Sequence, residues 1–151
     1  MPQLLGQIII HVVFSTKHRH PWIQEPLQRN IHAYMASTVR TLERCECYLV
    51  GGVEDHDHLE IRLSRTISAA ELVQKLKTSS SRWIKEQYPA LRDFAWQQGY
   101  AAISIGHADL GRLLDYIDGQ AAHHRVSKFQ DEYRSLLIEH GIEFDERYLW
   151  D

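Results

Sequence analysis

His56-Asp57-His58-Leu59-Glu60-Ile61-Arg62-Leu63 alternates without a break. In an extended chain Leu59, Ile61 and Leu63 share one side, and His58, Glu60 and Arg62 share the other. That period of two predicts a strand with one face on a core. Gly51-Gly52 and the residues up to Asp55 suit a hairpin, which makes residues 45–50 a partner strand ended by the two glycines. Further upstream, residues 6–15 are rich in Ile and Val and too short for a typical helix, so they predict a first strand. Downstream, residues 100–105 predict a fourth.

Helices fit the intervals. Ile31, Met35, Val39 and Leu42 recur at three-to-four spacing within residues 25–43. Ser68 with Glu71 three residues on forms a capping box. It opens a long helix with Leu72, Leu76, Trp83 and Ile84 inward, ending before Pro89. A helix opening at Ala108 or Asp109 turns Leu110, Leu113, Leu114, Ile117 and Ala121 to the core, and a last helix covers residues 127–140. The order β-α-β-β-α-β is the ferredoxin-like pattern, an α+β fold in which an antiparallel sheet carries helices on one face. Two C-terminal helices are added to it. The aromatic tail, with Phe144, Tyr148, Leu149 and Trp150, is expected to pack on the body or on a partner.

Length and composition agree with a single domain over residues 1–151. At 44% hydrophobic and 25% charged residues, the chain is neither disordered nor collagen-like. Seventeen Lys and Arg against twenty Asp and Glu give −3, which excludes bulk attraction to nucleic acid but not a local basic site. Cys45 and Cys47 cannot complete a zinc site by themselves and read as reduced, small hydrophobes. The apolar run from Ile8 to Phe14 is too short for a membrane span and lacks the flanks of a signal peptide. The expectation is a cytoplasmic protein.

Ten histidines are many for this length, so their positions matter. His56 and His58 point to the same side of a strand start, and paired imidazoles suit a divalent metal. Read alone, a His-x-His triplet is more often a pair of surface histidines at a strand end, because so short a pattern arises by chance. Tyr116 and Gln120 share a helix face. A tyrosine beside a core stripe is ordinarily packing, yet a phenol can attack a phosphate that a metal polarises. Gln120 could give such a metal an oxygen. His123 and His124 follow one turn on, where a helix C-terminus favours cationic side chains.

In this order the pieces resemble the single-tyrosine transposases of the insertion-sequence-200 type, in the HUH endonuclease superfamily. The resemblance runs along nearly the whole chain. It takes in residues 11–17 (HVVFSTK), 51–56 (GGVEDH), 79–84 (SSSRWI), Tyr116 with Gln120, and the ending 145–151 (DERYLWD). It implies a divalent ion, Mg or Mn, held by His56, His58 and Gln120. It implies that Tyr116 attacks single-stranded DNA at hairpin-containing element ends, leaving a covalent 5′-phosphotyrosine and a 3′-hydroxyl. It also implies a homodimer with composite sites, in which the tyrosine helix can complete the partner's metal site. Lys17 and Arg19 after the first strand, and Lys75, Lys77, Arg82 and Lys85 on the long helix, are candidate phosphate contacts.

Two positions depart from the family. Asp57 stands where a bulky hydrophobe is usual, and alternation sends it toward the core, where a carboxylate is costly unless paired. The strand start is then exposed, or a cation pairs with Asp57, or a bulge turns it to the metal. Gly119 lies inside the Tyr116–Gln120 turn and weakens that helix by up to about 1 kcal/mol. Two other functions compete: a dimeric DNA-hairpin binder that no longer cuts, and a ferredoxin-like metal hydrolase that does not need Tyr116. An RNA-binding protein fits less well, because the strands lack the aromatic pattern of RNA-recognition sheets.

Overall fold

The computed structural model describes residues 2–3, 5–42, 44–118 and 128–151. Its elements are β1 (Ile8–Ser15), a short 3-10 turn (Lys17–Arg19), α1 (Leu27–Thr41), β2 (Glu46–Val53), β3 (His56–Leu63), α2 (Ala69–Gln87), a second 3-10 turn (Pro89–Leu91), β4 (Ala101–Ile105), α3 (His107–Asp118) and α4 (Phe129–Glu139). The four strands form one sheet in the order β2-β3-β1-β4, every neighbouring pair antiparallel. This is the expected α+β, ferredoxin-like sheet.

Alternation sorts the sheet into two faces. Val12, Phe14, Leu59 and Ile61 meet Ile31, Met35 and Val39 of α1 and Leu72, Leu76 and Ile84 of α2 in the main core. Each of these side chains is fully buried, and full burial contributes roughly 1.5–3 kcal/mol apiece. Cys45 and Cys47 pack at the edge of the same core as free thiols. The opposite face carries His11, Val13, His56, His58 and Glu60, and the two C-terminal helices pack there. Val13 and Ala101 form a second cluster with Phe129, Tyr133 and Leu137 of α4. Ile117 of α3 lies against Gly51 of β2. Helices therefore cover both faces, the ferredoxin-like pair on one side and the additions on the other.

Several boundaries differ from the sequence expectation. Gly51 and Gly52 do not end β2; they pair with His58 and Asp57, and the strand runs to Val53. Glycine is needed there for room. A Cβ on Gly51 would lie 2.6 Å from Ile117 Cγ2, and one on Gly52 would lie 2.3 Å from the His56 carbonyl oxygen. Ser68 caps α2 as expected, its hydroxyl accepting the Glu71 amide at 3.1 Å. On α3, Leu110 and Ile117 are buried while Leu113 and Leu114 are only half-buried.

The tail packs on the body. Phe144, Leu149 and Trp150 join the second cluster, with Trp150 against Phe129 and Tyr133. The Asp151 carbonyl accepts the Gly99 amide at 2.8 Å. Tyr148 is the exception, at 63% exposure. No helix among the described residues is long and apolar enough to cross a membrane.

Candidate active site

His56 and His58 open β3 at the centre of the sheet, on the face covered by α3 and α4. Their rings lie 5.2 Å apart, and both side chains are buried. His56 donates from Nδ1 to the Asp55 carboxylate at 2.7 Å. That bond fixes Nε2 as its lone-pair nitrogen and holds the ring's orientation. His58 Nδ1 shares a 2.9 Å hydrogen bond with Nε2 of His11, and the two rings stack at 5.1 Å. Phe129, at the start of α4, stacks on His56 at 3.9 Å.

His11 belongs to the site, although sequence reading gave it no role of its own and took it within the apolar run and the 11–17 stretch. Its signal is a polar residue interrupting Ile and Val in β1. The antiparallel register pairs it with Glu60 and makes it a diagonal neighbour of His58. Burial, with His140 second, lowers the His11 pKa to about 4, while burial raises Glu60 to about 8. Their 3.8 Å approach is thus a contact between two neutral groups at pH 7 rather than an ion pair. Neither Glu60 carboxyl oxygen has a hydrogen-bond partner among the described residues.

Tyr116 reaches the same place from α3. Its ring meets His58 edge-on at 6.4 Å, and its hydroxyl donates to Oε1 of Glu132 on α4 at 2.5 Å. Burial first, then the hydrogen bond and charge of Glu132, holds the phenol pKa well above its ordinary value. A cleft of about 760 Å³ is lined by His11, His58, Arg112, Tyr116, Glu132 and His140 among others. A concave site with convergent polar groups on a packed floor suits a ligand.

Asp57 faces the main core, as alternation requires, and is fully buried. It is paired: His32 of α1 reaches its Oδ1 at 2.7 Å. Burial alone would lower the His32 pKa, but the Asp57 charge and hydrogen bond outweigh it and raise the value. Of the three arrangements that the sequence allows, the cation partner is the one present. The strand keeps normal alternation, and the two histidines stay on the other face.

Of the expected metal ligands, His56 and His58 come together; Gln120 lies outside the described residues, as do Gly119, His123 and His124. Among the described residues no group of three His, Cys, Asp or Glu is arranged to hold a metal ion. Two adjacent imidazoles, each held at Nδ1, nonetheless fit two positions of a divalent ion's ligand set.

The basic residues divide. Lys17 and Arg19 follow β1 directly, beside His56, where the Thr16 amide donates to the Asp55 carbonyl at 2.9 Å. His18 and Arg19 both take left-handed backbone, with φ of 56° and 55°. The Arg19 guanidinium sits over Trp150 and beside the Gln130 amide, which, with its oxygen and nitrogen exchanged, accepts from it at 2.9 and 3.0 Å. Lys75, Arg82 and Lys85 are exposed on α2, in the layer behind the sheet from the histidines. Lys77 does not fit a phosphate contact. Its ammonium donates to the carbonyls of Gln97, Gln98 and Gly99, and burial lowers its pKa to about 8.

Residues 5–120 match the family model described as "Transposase IS200 like". The chain belongs to the IS200-like transposase family. Two solved structures share the transposase's fold. A proposed transposase from Deinococcus radiodurans R1 aligns at 18% identity with a TM-score of 0.64, over 80% of this chain and 95% of its own. A REP-associated tyrosine transposase bound to a REP hairpin aligns at 13% identity with a TM-score of 0.61, over 82% of this chain and 72% of its own. No curated protein matches the sequence.

Proposed function

We propose that this transposase cuts and rejoins single-stranded DNA at hairpin-bearing element ends, through a covalent 5′-phosphotyrosine at Tyr116. One observation carries the reading: Tyr116 from α3 and His58 from β3 line one cleft, with His56 beside His58. Family membership supports the chemistry, and the hairpin bound by the structural neighbour supports the substrate.

In this mechanism the cleft binds the strand with one phosphodiester between the histidines and Tyr116. His56 and His58, with Gln120, would hold a divalent ion, Mg or Mn. When bound, the ion offsets charge developing on the phosphoryl oxygens and orients the phosphate. Asp55 and His11 hold the two imidazoles in orientation through their hydrogen bonds. The Tyr116 oxygen attacks phosphorus, the 3′ oxygen leaves, and a second freed 3′-hydroxyl later attacks the phosphotyrosine. The linkage keeps the energy of the original diester, so rejoining needs no further cofactor. Lys17 and Arg19 border the site and hold backbone phosphates, as do Lys75, Arg82 and Lys85 from the far side of the fold. The protein works in the cytoplasm as a two-fold homodimer; within one chain Tyr116 meets its own His58, so a composite site requires α3 to pass to the partner subunit. The pairing of Asp57 with His32 argues against reading Asp57 as a mark of decay.

The test incubates labelled single strands from the DNA flanking the gene with protein and Mg or Mn, followed by a denaturing gel. A metal-dependent shifted band is expected, lost in Tyr116→Phe and in His56→Ala. Mixing those two variants should restore it if the sites are composite. Binding without any adduct, with both metals and both flanks, would replace this reading with that of a hairpin binder.

A further inference from the structure

The family match ends at residue 120, and α4 lies beyond it. That helix places a carboxylate on the atom that the proposed reaction uses. We infer that Glu132 is the proton acceptor for Tyr116: its carboxylate takes the phenol's proton as the phenol oxygen attacks the DNA phosphate. The inference rests on the covalent-tyrosine reading above.

A phenol must lose its proton as its bond to phosphorus forms, and a base acts only from within hydrogen-bond reach. Glu132 Oε1 already accepts the Tyr116 hydroxyl at 2.5 Å, and both side chains line the cleft that contains His58. The contact is built into the fold. Phe129, Glu132, Tyr133 and Leu136 share one face of α4 by their three-to-four spacing. Phe129 stacks on His56, and Tyr133 and Leu137 are buried in the second cluster. Packing that seats α4 on the sheet therefore also sets Glu132 against Tyr116. The neighbouring acid, Asp131, turns elsewhere and pairs with Arg134.

The step balances. The Tyr116 O–H bond breaks, and its proton goes to Glu132. The freed electron pair makes the O–P bond. The bond from phosphorus to the 3′ oxygen breaks, and that oxygen takes a proton from water. On rejoining, the reverse occurs at the tyrosine: protonated Glu132 returns its proton to the departing phenolate oxygen.

The experiment measures single-turnover adduct formation by the full chain on labelled flanking strands with Mg or Mn. Glu132→Gln keeps a hydrogen-bonding side chain but cannot accept the proton, and should slow adduct formation about 100-fold or more. A fluorinated, more acidic tyrosine at position 116 should restore the Glu132→Gln rate by roughly tenfold, and added formate should partly restore Glu132→Ala, because both substitute for the missing base. Unchanged melting midpoints confirm that the variants fold. Adduct formation by Glu132→Gln close to the wild-type rate overturns the inference. So does a slow variant that neither fluorotyrosine nor formate improves, since Glu132 then only positions the ring. If wild type forms no adduct, or Tyr116→Phe still does, the covalent-tyrosine reading itself fails, and the inference falls with it.

Discussion

Asp57 has a fully buried carboxylate behind two buried histidines, and its stability depends on one neighbour, His32. Removing one member of a buried charged pair strands the other, whereas removing both can be nearly neutral. His32→Leu should therefore destabilise by about 3 kcal/mol, and His32→Leu with Asp57→Val should recover most of it. The pair also sets a pH dependence. The folded-state pKa of His32 is raised, so its contribution is complete below the unfolded value of about 6.5 and is lost as pH rises through the folded value. Thermal melts from pH 6 upward should show wild type losing this increment while the double variant does not. A double variant as unstable as the single one would refute the pairing argument. At this scale the sequence was partly legible. Alternation put His56 and His58 on one face and Asp57 on the other. It could not supply His32, which is 25 residues away in sequence and arrives only when α1 packs on the sheet.

At the scale of elements, the position of Tyr116 follows from how α3 crosses the sheet. Ile117, the next residue, is seated on Gly51 of β2, with no space for a side chain between them. Gly51→Ala should push α3 away, destabilise by about 1–3 kcal/mol and move Tyr116 out of line. Adduct formation should then fall by more than the loss of folded protein explains. Ile117→Ala in the same chain removes the clashing methyl and should restore part of the activity. An active Gly51→Ala protein with an unchanged melting midpoint would show that this contact does not position the helix. The sequence marked Gly51-Gly52 as the end of a strand, because glycine pairs commonly end strands. Here they continue the ladder, and their smallness serves the helix above and the backbone beside them.

For the whole molecule, the two C-terminal helices and the tail close the face that the ferredoxin-like helices leave open. Trp150 packs on Phe129 and Tyr133, with Arg19 and Arg134 against its ring, and the chain end binds the loop at Gly99. Deleting residues 143–151 removes Phe144, Leu149 and Trp150 from the second cluster. The melting midpoint should drop by several degrees, at about 3 °C per kcal/mol for a chain of this size. Trp150→Ala alone should account for about 2 kcal/mol of that, since the ring is only half-buried. A truncated chain that melts like the full one would show that the tail rests on the body without stabilising it.

The sequence by itself determined the strands, the helices, the ferredoxin-like order and the two faces of β3, because local periodicity and capping act over a few residues. Resemblance to a transposase family, rather than spacing alone, singled out His56, His58 and Tyr116 as candidates. Tertiary structure alone decided which groups surround them. His11 joins His58 through strand pairing, His32 joins Asp57 through helix packing, Glu132 meets Tyr116 across two helices, and Lys77 turns inward to three carbonyls. Burial and partners far along the chain then shift the pKa values of His11, His32, Lys77 and Tyr116. Those are properties of the packed interior, and no short stretch of sequence contains them.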